Sequence, residues 1–247
     1  MSLDIDATCG VLEKLQEKFG SPSDTELLRT AALALHFIWG SGHLHNFEDY
    51  LACFRPGDSH PPPSSFDTRE RAEASLQQPM DPRVAHRVVI SGSRYAVGYS
   101  PEHGSRFLVR IPERAGLATT IHPLSALMSE AFAVLRQARA HAHAPEDKES
   151  VDIALLAIHF ILESNQSSHF KSFLENFDSD TPRPPLCTFS SRKEADTWLN
   201  AHPRPPHGAG VDIAGQHYSV GYARDSELRV LVRRPTLEEL GLAEEDE

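Results

Sequence analysis

The chain has 247 residues, 40% of them hydrophobic, with 18 prolines and a formal net charge of −11 at pH 7. That length suits one or two domains, and the acidic balance argues against broad binding to nucleic acid, which needs a basic surface. The longest apolar stretch, Ala31–Trp39, is too short to span a bilayer and carries a histidine, His36.

Residues 4–19 set Ile5, Leu12, Leu15 and Phe19 near one stripe, which predicts a helix with Gly20 as its stop. Ser23 opens S-D-T-E, a capping-box pattern in which Glu26 reaches back to the Ser23 amide. The helix it introduces, about 24–39, is apolar on most sides and is expected to be central and buried. Gly40-Ser41-Gly42 ends it, and a further helix over about 45–54 presents Phe47, Tyr50, Leu51 and Phe54 on one face. Arg55–Ser65, with P-G and P-P-P, reads as a surface loop. Asp67 as a cap, with Glu70 three residues on, predicts a short amphipathic helix to about Gln77. Three strands follow, Val84–Ile90, Arg94–Ser100 and Arg106–Ile111. A tight turn at Ser91-Gly92-Ser93 and the segment Pro101–Ser105 join them into an antiparallel meander.

The same order then recurs. I-S-G-S-R-Y-A-V-G-Y from Ile90 returns as I-A-G-Q-H-Y-S-V-G-Y from Ile213, and R-F-L-V-R-I-P returns as R-V-L-V-R-R-P, at an offset of 123 residues. His36-Phe37-Ile38 and His159-Phe160-Ile161 stand at that offset too, and no gap is needed. The second set is expected as helices over about 124–141, 148–163, 168–177 and 191–200, with a proline loop at 178–188. Strands are expected over about 210–214, 217–223 and 228–233. Thr119–Pro123 is the junction, with Pro123 in the first turn of the next helix. The expected fold is α+β, a tandem duplication of a unit with about four helices and a three-stranded antiparallel β-meander. Unit one is 1–122 and unit two is 123–236, packed as an intramolecular pseudo-dimer. A segment of this length can bury a core of its own. Residues 237–247 form an acidic tail in which T-L-E-E-L allows one helical turn and Glu244–Glu247 are expected to be disordered. Leu33, Phe37, Ile38, Leu51 and Phe54 are expected in the core, with Leu156, Phe160, Ile161, Leu174 and Phe177 from the second unit.

Cys9, Cys53 and Cys187 are odd in number, and none stands opposite another at the repeat offset. They read as reduced thiols. With an N-terminus that has neither basic region nor apolar run, they point to a cytoplasmic protein. His36 and His159 sit before Phe in apolar helices and read as buried histidines with one ring nitrogen hydrogen-bonded. His43, His45 and Glu48 have ligand chemistry, yet their repeat positions hold Gln166, Ser168 and Lys171. His141 and His143 are two apart, so on a helix they diverge. No metal or cofactor is expected. Ser41 follows a helix and reads as a C-terminal cap, since a nucleophile elbow lies between strand and helix.

Arg106 and Arg110 share one face of their strand, as do Arg229 and Arg233 in the second copy. Tyr95 and Tyr99, repeated as Tyr218 and Tyr222, share one face of the neighbouring strand. If the two faces coincide, each copy sets two guanidinium forks beside two aromatic rings. These eight residues are the candidate binding set, and no catalytic residue is assigned. The favoured reading is a non-catalytic, cytosolic protein-binding protein of the adaptor, inhibitor or toxin-neutralising (immunity) type, acting by stoichiometric contact. A basic protein would be steered to it by opposite charge. The alternatives are a hydrolase of unrecognised family using His36 or His43/His45, and a nucleotide or single-stranded nucleic-acid binder through the Arg/Tyr strands. No membrane partner is expected.

Overall fold

In the computed structural model the described residues are 3–18, 21–54, 64–78, 80–82, 84–112, 126–179, 183–236 and 239–240. They form eight helices and two four-stranded sheets, an α+β architecture. The first half supplies α1 (Ile5–Gln16), α2 (Pro22–Gly40), α3 (Leu44–Ala52), β1 (Ser64–Phe66), α4 (Arg69–Ser75), β2 (Arg87–Ile90), β3 (Ser93–Tyr99) and β4 (Arg106–Ile111). The second supplies α5 (Ala126–His141), α6 (Pro145–Glu163), α7 (Ser167–Glu175), β5 (Cys187–Phe189), α8 (Arg192–Ala201), β6 (Gly210–Ile213), β7 (Gln216–Ala223) and β8 (Leu228–Arg233). Among these residues no helix is long and apolar enough to cross a membrane.

Two caps differ from expectation. Helix α2 begins one residue before Ser23, with Pro22 at its first position and Ser21 as a cap that makes no side-chain bond. The fixed φ of proline pre-forms that turn, so the Ser23 hydroxyl is not used. Helix α4 is capped by Thr68, which accepts from the Arg71 amide, in place of Asp67. Gly20, the proline loop at 55–63, the junction Thr119–Pro123 and Glu244–Glu247 lie outside the described residues. In the tail, the Glu239 amide donates to Thr236 Oγ1 (3.2 Å) and the Leu240 amide to the Thr236 carbonyl (3.1 Å).

Each sheet has four strands, against the three-stranded meander the sequence predicts. The strand orders are β1-β2-β3-β4 and β5-β6-β7-β8, with the first pair parallel and the others antiparallel. The added strands are three residues long, too short for a period-two pattern to register. The hairpins β2–β3 and β6–β7 turn through Ser91-Gly92 and Ala214-Gly215, all at positive φ, as a two-residue type I′ turn requires.

The helices do not sort by half. Leu12, Leu28, Leu35 and Ile38 pack in one cluster with Leu135, Leu156, Phe160 and Phe170, so α1, α2, α5 and α6 share a core. This explains why α2 is apolar on most sides: it meets α1 from its own half and α5, α6 and α7 from the other. Phe177, expected in the core, is instead 36% exposed, and Leu174 is partly buried.

Each sheet lays one face on its own short helix. Val88, Ile90, Val97 and Leu108 pack on Ala72 and Leu76 of α4, and Val211, Ile213, Val220 and Leu231 pack on Ala195 and Leu199 of α8. The opposite faces differ. Ala96, Val109 and Ile111 of the first sheet join the helical core, beneath α3 and α6. The second sheet's corresponding residues on β8 stay open. Val232 is 54% exposed, whereas Val109, its counterpart at the repeat offset, is 1% exposed.

Candidate functional site

The antiparallel register pairs Tyr95 with Arg110 and Tyr99 with Arg106, and likewise Tyr218 with Arg233 and Tyr222 with Arg229. Directly opposed residues project to the same side, so the tyrosine and arginine faces coincide in both sheets. That shared side is the one covered by α4 or α8. Arg106 Nη1 donates to the Gln78 carbonyl (2.6 Å) and to the Leu76 carbonyl, and its guanidinium lies 5.6 Å from the Tyr99 ring centre. Arg229 Nη1 donates to the carbonyls of Leu199 (2.9 Å), Asn200 (2.8 Å) and His202 (3.0 Å), and lies 5.8 Å from the Tyr222 ring. A cation is favourable where a helix ends in unpaired carbonyls. Arg106 and Arg229 therefore fasten each short helix to its sheet.

The outer members of the set are more open. Arg110 is exposed, and Arg233 is exposed and reaches Glu239 (2.5 Å). Tyr95 and Tyr218 are half-buried, the latter beneath Arg192 at 5.5 Å. Tyr99 and Tyr222 are buried. The eight residues are thus brought together in two clusters of four, with their inner halves inside the fold.

The histidines also divide. The Tyr50 hydroxyl lies 2.9 Å from His159 Nδ1, and burial raises the Tyr50 pKa far above its ordinary value, so the phenol stays protonated. His36 Nε2 lies 3.8 Å from Cys9 Sγ. Burial, with Glu13 and Asp6 nearby, pushes the Cys9 thiol up to about 11. His43 and His45 point apart. His43 Nδ1 meets the Asn46 amide nitrogen (3.2 Å), whose group also clasps the Tyr99 backbone at both N–H (2.9 Å) and C=O (2.8 Å). His45 Nδ1 donates to Glu48 Oε2 (2.7 Å), and its Nε2 lies 3.3 Å from the Tyr222 carbonyl. Burial pushes the Glu48 carboxyl up, but the bond from His45 and the charges of His45 and Arg224 outweigh it, and its pKa ends below the ordinary value. Among the described residues no group of three or more His, Cys, Asp or Glu is placed to hold a metal.

Two further features were not singled out in the sequence. The first is an ionic cluster between the halves. Asp49 on α3, 4% exposed, receives Arg204 and Arg224 from the second half, the latter at 2.6 Å. Arg204 is itself buried, donates to the Pro82 carbonyl (2.8 Å) and lies 4.8 Å from the Tyr99 ring. Their counterparts at the repeat offset are Ser172, Asp81 and Pro101, so this cluster has no twin. Gly42 (φ +77°) also meets the second half, where a Cβ would sit 2.5 Å from Pro206 Cβ, and only glycine fits so close an approach.

The second is a cleft of about 650 Å³ between the end of α2, helix α7, the β3–β4 turn and residues 183–186. Phe37, Phe173, Pro101 and Pro184 line it, with His43 and Arg183 among its polar groups. No protein-family model matches this chain, and no curated protein or solved structure matches it either.

Proposed function

We propose that the protein is a non-catalytic binding protein, acting by stoichiometric contact, and that its partner docks on the outer face of β8. The carrying observation is the contrast between the two sheets: Leu228, Val230 and Val232 lie open, while Phe107 and Val109 of the first sheet are covered by helices. An exposed apolar strand at a sheet edge is a liability unless something covers it. The occupant that fits is an apolar helix face of another protein, because helices α3 and α6 are what cover the corresponding side of the first sheet. Helices seated on apolar surfaces are a recurrent recognition mode.

This reading takes the chain as a tandem duplication whose second copy has released one sheet face for contact. The repeat offset, the identical element order and the matching Tyr–Arg registers support it. Arg229 and Arg233 project to the opposite, α8 side of that sheet, so the apolar face carries this contact without them.

The test is capture from source-cell extract with wild-type protein and with Val232→Asp, read by quantitative mass spectrometry and light scattering. A partner held near one-to-one by wild-type and lost by a variant of unchanged melting temperature supports the reading. Partner retention by Val232→Asp sinks it, as does self-association that accounts for the buried face.

A further inference from the structure

The cleft beside α2 has its own chemistry. Arg183 lies with its guanidinium 4.3 Å from the Phe173 ring centre and against Gly40, where a Cβ would sit 2.6 Å from its Nη1. Glycine at that position lets the cation approach the carboxyl-terminal end of α2, which favours positive charge. Among the described residues Arg183 has no carboxylate partner and makes no hydrogen bond. Its planar fork is stacked on Phe173 at the cleft wall, in position to take an anion. Glu102, at the cleft wall, directs its carboxylate to His103 (3.4 Å).

His43 supplies a second polar group at the cleft wall. The Asn46 amide nitrogen donates to the Tyr99 carbonyl, so it is also the donor toward His43 Nδ1, which leaves the His43 proton on Nε2. Burial, with His169 adding to it, pushes the His43 pKa down to about 4, so the ring is a neutral donor at pH 7. His169 Nδ1 lies 3.0 Å from Gln166 Oε1, which accepts from it. The remaining walls set apolar Phe37, Pro101, Pro184, Pro185 and Leu186 beside the small polar groups of Ser41, Ser100, Ser172 and Asn176. A mostly apolar cleft with a few placed polar groups is the usual form of a small-molecule site.

The geometry points to this cleft as a binding site for a small organic carboxylate with an apolar, ring-bearing body. The guanidinium of Arg183 takes the carboxylate in a two-pronged bond. The body lies against Phe37 and the prolines, and His43 Nε2–H meets a polar substituent. The site is separate from the β8 face, so either can fail without the other.

Calorimetric titration of the full chain with 3-phenylpropionate tests it, beside acetate and 3-phenylpropanamide. The expected result is saturable binding of 3-phenylpropionate, weaker binding of the amide and none of acetate. Arg183→Gln is expected to weaken the acid by roughly tenfold or more, the weight of a charged hydrogen-bonded pair, and to leave the amide unchanged. Ser172→Phe, an exposed cleft position, is expected to abolish both with an unaltered circular dichroism spectrum. No saturable binding of the acid at millimolar concentration, equal binding of acetate, or an unaltered affinity in Arg183→Gln would each overturn the assignment.

Discussion

Arg224 Nη1 lies 2.6 Å from Asp49 Oδ1, joining residues from opposite halves of the chain. The same carboxylate holds the buried Arg204, and Glu48 on the same helix also reaches Arg224 (3.2 Å), so two anions on α3 meet two cations delivered by the second half. Removing one partner of a buried ion pair leaves an unbalanced charge away from water. Asp49→Asn keeps the shape and loses the charge, and should cost about 3–5 kcal/mol of unfolding free energy in chemical denaturation. A loss below about 1 kcal/mol would show that water compensates the two guanidinium groups.

The Arg/Tyr strands predict an asymmetry within each pair. Arg229→Ala removes three bonds to the carboxyl-terminal end of α8 and should cost about 1–3 kcal/mol. Arg233→Ala removes one exposed ion pair and should leave the melting temperature nearly unchanged. Melting curves of the two single variants decide the matter, and equal shifts would contradict the assignment of Arg229 to the helix end.

Core positions should divide in the same way. Leu51 is 1% exposed and packs in the helical cluster, so Leu51→Ala should cost about 2–5 kcal/mol. Phe177, at 36% exposure, meets Phe173 edge-on and lies under Arg29, and Phe177→Ala should cost distinctly less. Urea denaturation of both variants checks the order.

The organisation of the helices and strands is visible in the sequence because α2, α6 and the strands repeat strong apolar periods. The remainder depends on pairings that a linear pattern does not carry. β1 is three residues that become a strand only beside β2, and the Tyr–Arg coincidence depends on register. The Asp49 cluster and Arg183 sit at positions 49, 204, 224 and 183, whose counterparts at the 123-residue offset are different residues, so the repeated pattern does not point to them. The open face of β8 leaves no mark at all, since Val230 and Val232 are ordinary strand residues whichever side is covered.

Acid should weaken the fold before ordinary carboxylates titrate. His43 is lowered to about 4 from 6.5 by burial and by His169, and burial lowers His202 and His207 in the same direction. Between the two pKa values the unfolded chain binds more protons than the folded one, so stability rises with pH across that window. The contribution is complete above about pH 6.5 and is lost as pH falls toward 4, amounting to roughly 3 kcal/mol for His43. Unfolding free energies at pH 7, 5.5 and 4.5 measure the slope, and His43→Gln should flatten it. An unchanged slope in that variant would refute the assignment.

The shared helical core sets a schedule for synthesis. Leu28, Leu35 and Ile38 of α2 find their cover on α6, whose residues leave the ribosome more than a hundred positions later. At typical elongation rates of ~5–20 residues per second, that apolar surface waits on the order of 5–25 s for its partner. The nascent first half is therefore expected to keep apolar surface open over that interval, and a premature stop after β4 is expected to yield an aggregating fragment in place of a folded half-molecule.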